Sequence, residues 1–362
     1  MSKKIIIWAH CTDYLIDEKK MVGGISIQLN LWAKTFLNKG WEPFCLTSNR
    51  NYKNKSIDGL NHLYIPTTKH GNTVFSAILA FFIFLRHRPK VVISRGRLTS
   101  AYYLSLYSKV FRFKYILMIA SDSNVDKFNE AKDGLQTRLF RKGIMQTSYF
   151  VVQNDKQKKL LFEKYGKKQS IVIPNIWQAN AEFNKIIQKK EGILWVSNIR
   201  AIKQPEWFLN IAEKIAHIKF FMIGGASDEQ LYNYCKERGN NIPNLEFLGK
   251  KSFDETNAFF SQVKLVICTS KYEGFPNTFL QAWANNVPVI TTFDPSNIVE
   301  KHKLGAVCQT VDEFVDSINN FTSNDDFYKE INRNIALYFS KAHNSDFQYN
   351  RLNQEFNLSQ IK

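Results

Sequence analysis

Residues 268–292 read CTSKYEGFPNTFLQAWANNVPVITT, a pattern that predicts, in order, the end of a strand, a loop, a helix and a second strand. The apolar strand Leu265–Cys268 ends in the polar loop Ser270–Gly274. Pro276 follows, and it suits the first turn of a helix because its φ is fixed and it lacks an N–H. The strand Val289–Thr291 comes soon after that helix. Such a unit is typical of a parallel sheet whose strands are joined by helices.

The same alternation runs along the whole chain and predicts two α/β layers. The predicted strands of the first half are Ile5–Trp8, Pro43–Thr47, His62–Ile65, Val91–Ser94, Tyr115–Ala120, Tyr149–Val152 and Ile171–Ile173. The predicted helices between them include Ile25–Asn38, Val74–Arg88, Ser100–Phe111 and Lys156–Tyr165. In the second half the predicted strands are Ile193–Val196, Phe220–Ile223, Leu245–Leu248, Leu265–Cys268, Val289–Thr291 and Ala306–Cys308.

A chain of 362 residues is too long for one hydrophobic core. The expected fold is α/β with two Rossmann-like parallel-sheet domains facing a central cleft, where ligands bind at the carboxyl ends of the strands. We expect an N-terminal domain at 1–175, a C-terminal domain at 176–340, and a final helix at 341–362 that crosses back to the first domain.

Positive charge is concentrated in the first half of the chain. The net charge is +17, and residues 1–175 hold 29 Lys and Arg against 11 Asp and Glu, a net of +18, which leaves −1 for the rest. An anionic membrane, a nucleic acid or a phosphorylated substrate could balance this excess. A Lys-rich background composition is the alternative. Aromatic residues fall mostly in apolar runs rather than between cations, so no nucleic-acid partner is expected.

The apolar stretch Val74–Leu85 runs for twelve residues and ends in Arg86-His87-Arg88. It is shorter than the roughly 20 residues that cross a bilayer. It could dock on lipid, or it could pack against a sheet with its basic end complementing the helix dipole. A helix that is apolar nearly all round is more often buried, so we favour the packed helix.

The N-terminus bears on the cellular location, and the cysteines bear on disulfides and metal sites. Only Ile5–Ala9 is apolar after Met1-Ser2-Lys3-Lys4, too short for a signal peptide, so we expect a cytoplasmic protein. Five cysteines at 11, 45, 235, 268 and 308 are odd in number and form no Cys-x-x-Cys. They indicate buried small side chains rather than disulfides or a metal site.

Glu273 lies at the carboxyl end of a strand and just before a helix. The backbone N–H groups of that helix near Asn277 and Thr278 would bind an anion with the aid of the helix dipole. Thr278, Gln281 and Asn285 share one helix face, which we expect to look into the cleft. A carboxylate beside an anion site suits a phosphorylated sugar. The alternatives are that Glu273 caps the helix and that Gln281 is a solvated position.

A second cluster is the loop after strand Ile193–Val196. Its cations Arg200 and Lys203 could neutralise a pyrophosphate leaving group without a metal, although an exposed basic loop is the alternative. Gly23-Gly24, before the helix that begins near Ser26, would allow close backbone approach to a phosphate. No complete G-x-G-x-x-G or P-loop pattern occurs in the chain.

The stretch EGFPNTFLQAWANNVPVI at 273–290 closely resembles the signature of the glycosyltransferase family 4 enzymes, which are retaining transferases with the GT-B fold. SNIRAIKQPEWFL at 197–209 is similar to the donor-phosphate loop of that family. IVIPN at 171–175 looks like its interdomain linker, and Gly23-Gly24 also matches. The resemblance is weakest from 52 to 148, so it says nothing of the acceptor.

The resemblance implies a role for each matching residue of the helix signature. Glu273 would contact the hydroxyls of the donor sugar, and the backbone of Gly274, Phe275, Pro276 and Asn277, with Thr278 beyond it, would line the donor. Gln281 stands where the family has a second Glu that binds the nucleotide ribose. A neutral amide still hydrogen-bonds there, so we expect activity with altered nucleotide affinity.

The phosphate loop matches less completely. Lys203 corresponds to the phosphate-binding Lys of the family, but Asn198 replaces its usual Arg, and Arg200 would substitute from another point on the loop. The resemblance thus makes Glu273, Lys203 and Arg200 the catalytic residues, with Gly23, Gly24 and Asn198 in the donor site. Asp122, after the strand Tyr115–Ala120, is a candidate acceptor contact, with a solvated loop residue as the alternative.

The resemblance implies transfer of a sugar from a UDP or GDP sugar to a hydroxyl of a glycan or polyprenyl-linked acceptor, with no metal or other cofactor. The expected setting is surface polysaccharide biosynthesis, such as lipopolysaccharide or capsule, at the inner face of an anionic membrane. A sugar-nucleotide epimerase or phosphorylase of the same fold and a nucleic-acid-binding module are alternatives. Gln281 and Asn198 also leave open a degenerate transferase.

Overall fold

A computed structural model describes residues 3–9, 24–48, 50–65, 73–96, 99–126, 134–166, 169–177, 190–271, 273 and 275–360. The chain divides into two compact units. Unit 1 comprises Met1–Gln178 with Ser345–Lys362, and unit 2 comprises Ala179–Asn344. Each is built on its own parallel sheet, so the predicted α/β class with two parallel-sheet domains is confirmed.

The described part of unit 1 forms an eight-stranded sheet of order β3-β4-β2-β1-β5-β6-β7-β8. Its strands are β1 Lys3–Ile7, β2 Trp41–Thr47, β3 Ser56–Ile57, β4 Leu60–Tyr64, β5 Val91–Arg95, β6 Lys114–Met118, β7 Tyr149–Val152 and β8 Gln169–Val172. Neighbours pair in parallel except β3 and β4, which form a hairpin. The sequence did not predict β3, since two residues carry no periodicity.

Six helices are described in the part of unit 1 that precedes unit 2, and one follows it. They are α1 Gly24–Asn38, α2 Thr73–His87, α3 Ser100–Val110, α4 Ser123–Asp126, α5 Leu135–Gln146, α6 Asp155–Tyr165 and, after unit 2, α14 Ser345–Phe356. Helix α14 completes the core of unit 1, because Tyr349, Leu352 and Phe356 pack in one buried cluster with Trp32 and Phe36 of α1. The indole N–H of Trp41 donates to the Tyr349 hydroxyl at 2.8 Å.

Buried polar side chains hold the segment after β8 against the rest of unit 1. Gln28 of α1 accepts from the Ile176 N–H at 2.9 Å and donates to the Ile176 carbonyl at 3.0 Å. The buried guanidinium of Arg95 donates to Asn175 Oδ1 at 2.6 Å. Burial lowers the pKa of Arg95 to about 10.

Helix α2 corrects the sequence-based prediction of a buried helix. Ala80 and Phe84 are fully buried against the sheet, as the packed helix requires. The opposite face is exposed, however, and it includes Ile78 at 51% and Phe82 at 59% of their full accessible area. The prediction was wrong for that face, because an apolar pattern does not report which of its residues the fold covers.

Unit 2 holds a six-stranded parallel sheet of order β11-β10-β9-β12-β13-β14. Its strands are β9 Ile193–Val196, β10 Phe220–Ile223, β11 Leu245–Gly249, β12 Leu265–Cys268, β13 Val289–Thr291 and β14 Gly305–Val307. Its helices are α7 Pro205–Lys214, α8 Glu229–Asn240, α9 Phe253–Gln262, α10 Asn277–Ala284, α11 Ile298–Lys301, α12 Val311–Ser323 and α13 Asp325–Ala342. Helices cover β9 and β12 so completely that both strands are almost wholly buried.

Two further expectations concern burial and membrane crossing. Cys45, Cys235, Cys268 and Cys308 are buried, as predicted, and Cys11 lies outside the described residues. Across the described ranges, none of the helices has the length and apolar content needed to cross a membrane.

Candidate active site

The site in unit 2 is built where two adjacent strands end. Strands β9 and β12 pair in parallel, with Leu194 opposite Val266 and Trp195 opposite Ile267. Parallel neighbours deliver their following loops to the same edge of a sheet. The loop after β9, which carries Asn198, Arg200 and Lys203, therefore lies beside the loop after β12, which carries Glu273.

Lys203 and Glu273 form an ion pair across these two loops. Their side chains are only 11% and 22% exposed. The hydroxyl of Ser270 donates to the same Glu273 oxygen at 3.1 Å. The two residues that the sequence predicted as phosphate ligand and sugar ligand are thus brought into direct contact.

Hydrogen bonds from deeper residues hold the backbone of both loops. The Trp195 indole donates to Thr269 Oγ1 at 3.0 Å, and that hydroxyl donates to the Lys203 carbonyl at 2.6 Å. The Lys271 N–H donates to the Ile202 carbonyl at 3.0 Å. Because the Lys203 backbone is hydrogen-bonded to Thr269 and Ile202 to Lys271, both in the segment that carries Glu273, the two charged groups keep a common position.

The start of the loop after β9 has room only because residue 224, directly after the neighbouring strand β10, is a glycine. A Cβ added at Gly224 would lie 2.1 Å from the Ser197 carbonyl oxygen and 3.2 Å from Ile199. The backbone N–H of Ser197 donates to the Ile223 carbonyl at 3.1 Å, and Ile199 forms a β-bridge with Ala226. The pair Gly224-Gly225 carries no specific motif, so sequence reasoning missed this requirement.

Arg200 and Asn198 follow this contact but do not join the ion pair. Arg200 is exposed and immediately precedes the 3-10 turn Ala201–Lys203, where its carbonyl accepts from the Lys203 N–H at 2.9 Å. Asn198 is partly buried. The loop thus offers one exposed guanidinium and one partly buried ammonium to an anion.

Helix α10 begins one residue later than its proline. Pro276 is the N-terminal flanking residue at φ −66°, and the helix runs from Asn277 to Ala284. That flanking residue makes no side-chain cap. Glu273 pairs with Lys203. Asn277 and Thr278 lie partly buried in the first turn, beside the Glu273 loop.

Gln281 is buried, with 5% of its area exposed, so the alternative of a solvated position was wrong. Its side-chain amide donates to Asn257 Oδ1 of α9 at 2.7 Å, and its backbone carbonyl accepts from Asn285 Nδ2 at 2.8 Å. The polar face of α10 is therefore partly occupied by contacts within unit 2.

Phe275 turns its side chain into the protein. It is 6% exposed, and its ring lies 6.3 Å from Trp283 and 5.2 Å from His343, measured between centroids. This packing leaves the backbone of residue 275 as the part that a ligand could contact. Pro276 is buried as well.

Cys268 lies next to this site at the end of β12. Burial raises the pKa of its thiol, and the nearby Glu273 carboxylate raises it further. Its thiol lies 3.5 Å from Ser270 Oγ and donates to it. The thiol stays protonated and acts as a packed neighbour rather than a nucleophile.

The remaining candidates lie in unit 1 or outside the described residues. Asp122 is 29% exposed at its side chain, accepts from Gln157 at 3.0 Å and pairs with Lys156 at 2.8 Å. It is thus a bonded residue rather than a purely solvated one. Gly24 is exposed as the first residue of α1. Gly23 and Gly274 are not among the described residues.

The part of unit 2 that contains this geometry also matches known proteins. Residues 190–324 match the family model of the glycosyl transferases group 1. An uncharacterized glycosyltransferase of Methanocaldococcus jannaschii is 24% identical over 218 residues, or 52% of this chain and 51% of that protein. A second from the same organism is 28% identical over 165 residues, or 44% and 45%. The chain spans about half the length of the curated relatives it matches.

Solved structures resemble the whole chain. Sucrose-phosphate synthase from Thermosynechococcus elongatus superimposes with a TM-score of 0.78 at 14% identity, covering 99% of this chain and 100% of that one. Anabaena HepE in complex with UDP and glucose gives 0.72 at 12% identity over 99% and 100%. The glycosyltransferase WaaG, involved in lipopolysaccharide biosynthesis, gives 0.69 at 11% identity over 97% and 99%. The predicted GT-B fold and the resemblance to glycosyltransferases are confirmed.

Proposed function

We propose that this chain is a retaining glycosyltransferase that moves a sugar from a nucleoside diphosphate donor to an acceptor hydroxyl. The observation that carries the proposal is the contact between Lys203 and Glu273. It brings a cation and a carboxylate together at the carboxyl edge of the sheet and beside the N-terminus of α10. The match of residues 190–324 to glycosyltransferases supports the same conclusion.

In the proposed reaction, the bond between the anomeric carbon and the pyrophosphate oxygen breaks as the acceptor oxygen bonds to that carbon, and the departing pyrophosphate takes the proton of the acceptor hydroxyl. Lys203, Arg200 and the N–H groups at the start of α10 stabilise the charge on the departing pyrophosphate. Glu273 accepts hydrogen bonds from hydroxyls of the donor sugar. These groups meet the need for positive charge without a metal ion.

The donor of this proposal is a UDP or GDP sugar, and the acceptor is a glycan or polyprenyl-linked glycan in surface polysaccharide biosynthesis. The bound UDP of HepE and the role of WaaG in lipopolysaccharide biosynthesis support this choice. The net charge of residues 1–175, 29 cations against 11 acids, supports work at an anionic membrane facing the cytoplasm. Asp122 stays a predicted acceptor contact.

The test begins with thermal melts of the protein in UDP, GDP, ADP and CMP sugars, since a ligand that binds the folded state raises the melting temperature. The stabilising donor, radiolabelled, is then incubated with lipid-linked acceptors, with and without EDTA. We expect a glycosylated product whose anomeric configuration, read by NMR, equals that of the donor. An epimerised sugar nucleotide without any glycoside would instead support the epimerase alternative.

A matched pair of variants assigns the reaction to the site. We expect Glu273→Ala to lose nearly all turnover, whereas Glu255→Ala, which removes an exposed carboxylate that caps α9 in the same unit, should retain it. Turnover by Glu273→Ala equal to that of the unmodified protein would refute the site.

A further inference from the structure

The outer face of α2 is an unusually apolar surface for an exposed helix. Val74, Ile78, Phe82 and Leu85 are 70%, 51%, 59% and 51% exposed. Their spacing of four, four and three residues places them in one stripe along the helix. The opposite side of α2 packs on the sheet through Phe84. The stripe is therefore a surface that the fold of unit 1 leaves in water.

The apolar surface continues onto the neighbouring helix α3. The ring of Phe81 lies 5.3 Å from that of Phe111, and Tyr107 donates from its hydroxyl to the Ala77 carbonyl at 3.1 Å. Val110 of α3 is 66% exposed. These contacts fix α2 and α3 side by side, so the surface is preformed. We name it the α2–α3 face, made of Val74, Ile78, Phe82, Leu85 and Val110.

The charged residues at the ends of α2 and α3, next to this face, are all cations. Arg86 and Arg88 are exposed at the end of α2, and Lys109 and Arg112 are exposed at the end of α3. Both helices lead into the adjacent parallel strands β5 and β6, so these ends lie at the same edge of the sheet. The sequence holds no Asp or Glu between Asp58 and Asp122, against nine Lys and Arg.

We propose that the α2–α3 face inserts into the interface of an anionic membrane and anchors unit 1 there. A helix of 15 residues with one apolar face lies in the plane of a bilayer interface rather than across it. The four cations at the ends of α2 and α3 bind lipid phosphates, as basic residues near anionic lipids do. This inference deepens the proposed function by naming the surface that meets the membrane.

Other occupants of the face fit less well. A second copy of the chain docked by the same surface would bury the apolar stripe but would supply no negative charge to Arg86, Arg88, Lys109 and Arg112, since the face carries only cations. A soluble polyanion would neutralise the cations but would leave the aromatic and aliphatic stripe in water. Of these three occupants, only an anionic lipid surface supplies both an apolar medium and negative charge.

Flotation with vesicles tests the anchor without donor or acceptor. The protein is mixed with vesicles of phosphatidylcholine alone or with phosphatidylglycerol, at low and high salt. We expect binding to the anionic vesicles that weakens with salt. The variant Ile78→Glu with Phe82→Glu should lose affinity for these vesicles at least about tenfold, because two apolar insertions are replaced by charges. Arg86→Gln with Lys109→Gln should bind more weakly and with less salt dependence.

The control is Leu337→Glu, which places the same charge at a residue of α13 that is 61% exposed in unit 2. It should float like the unmodified protein. Equal flotation of the Ile78 and Phe82 variant, or absence of binding to anionic vesicles, would overturn the inference. A dimer in solution that this variant dissociates would also overturn it, in favour of a second copy. Donor binding, measured by thermal melts in the same samples, reports separately on the proposed function.

Discussion

Lys203 and Glu273 lie 70 residues apart in the chain and form an ion pair between the loops after β9 and β12. Without a ligand, the Lys203 ammonium and the Glu273 carboxylate therefore neutralise each other. In the proposed reaction the pyrophosphate of the donor binds the Lys203 ammonium, and a sugar hydroxyl donates a hydrogen bond to the Glu273 carboxylate. Donor binding consequently exchanges one set of charged contacts for another.

This exchange predicts that loss of the Glu273 carboxylate strengthens binding of the nucleoside diphosphate product and slows turnover. Glu273→Gln removes the competing carboxylate, so calorimetry should find the matching nucleoside diphosphate bound about fivefold more tightly, a change of about 1 kcal/mol. Turnover of the same variant should fall by about 10²- to 10³-fold. Lys203→Met should lose both affinity and turnover. Lys214→Met, which breaks an exposed ion pair with Asp312 in the same unit, is the control and should change neither. Unchanged or weaker diphosphate binding by Glu273→Gln would contradict the competition.

Gly224→Ala should displace the loop that carries Arg200 and Lys203, since the added Cβ would stand 2.1 Å from the Ser197 carbonyl. We expect a loss of about 1–3 kcal/mol in stability and a raised KM for the donor. Gly305→Ala is the matched control, because its Cβ would stand 1.8 Å from the Val289 carbonyl at the far edge of the sheet. It should destabilise the protein without raising KM in the folded fraction. An equal rise in KM for both variants would argue that the effect is not local.

Gln281→Glu should strengthen binding of the nucleotide severalfold. The buried amide of Gln281 donates to Asn257. A carboxylate at this position could accept from the rotated Asn257 amide instead, and charge-assisted hydrogen bonds to ribose hydroxyls are about twice as strong as neutral ones. Gln281→Ala leaves Asn257 without this donor and should cost about 1–3 kcal/mol in stability. Calorimetry and thermal melts measure both effects. Weaker nucleotide binding by Gln281→Glu would contradict the ribose role.

Lys190 makes the stability of unit 2 depend on alkaline pH. Its ammonium donates to the Asn285 carbonyl, and burial lowers its pKa from 10.5 to about 8. The unfolded chain therefore holds this proton more tightly, so this group favours folding increasingly as pH rises from about 8 to 10.5.

Buried thiols act in the opposite direction, since burial raises the pKa of Cys235 to about 12. The measurement is thus the difference in the free energy of unfolding between the unmodified protein and Lys190→Met, by denaturant titration across this pH range. We expect the difference to shift in favour of the unmodified protein as pH rises. A difference that stays constant with pH would refute the assignment to Lys190.

Much of the fold could be predicted from local pattern alone. Tyr149–Val152, Ile193–Val196 and Phe220–Ile223 were predicted at their observed bounds, because each is a short apolar run between turn residues. The hairpin strand Ser56–Ile57 was missed because its pairing depends on the turn at Asp58-Gly59, where both residues have positive φ of 51° and 76°.

The site was predictable only in part. Adjacent parallel strands explain why the loops of Lys203 and Glu273 meet, and that adjacency follows from the fold class. The burial of Gln281 was not predictable, since its partner Asn257 lies on another helix. The exposed face of α2 was also missed, because hydrophobic periodicity reports how apolar a face is and not what covers it.

Helix α14 has a consequence for the order of synthesis. Its residues Tyr349, Leu352 and Phe356 complete the core that begins at Ile5, yet they are translated after all of unit 2. Unit 2 is continuous in the chain, whereas unit 1 lacks part of its core until this helix has left the ribosome. The first unit to be started is thus the last to be closed.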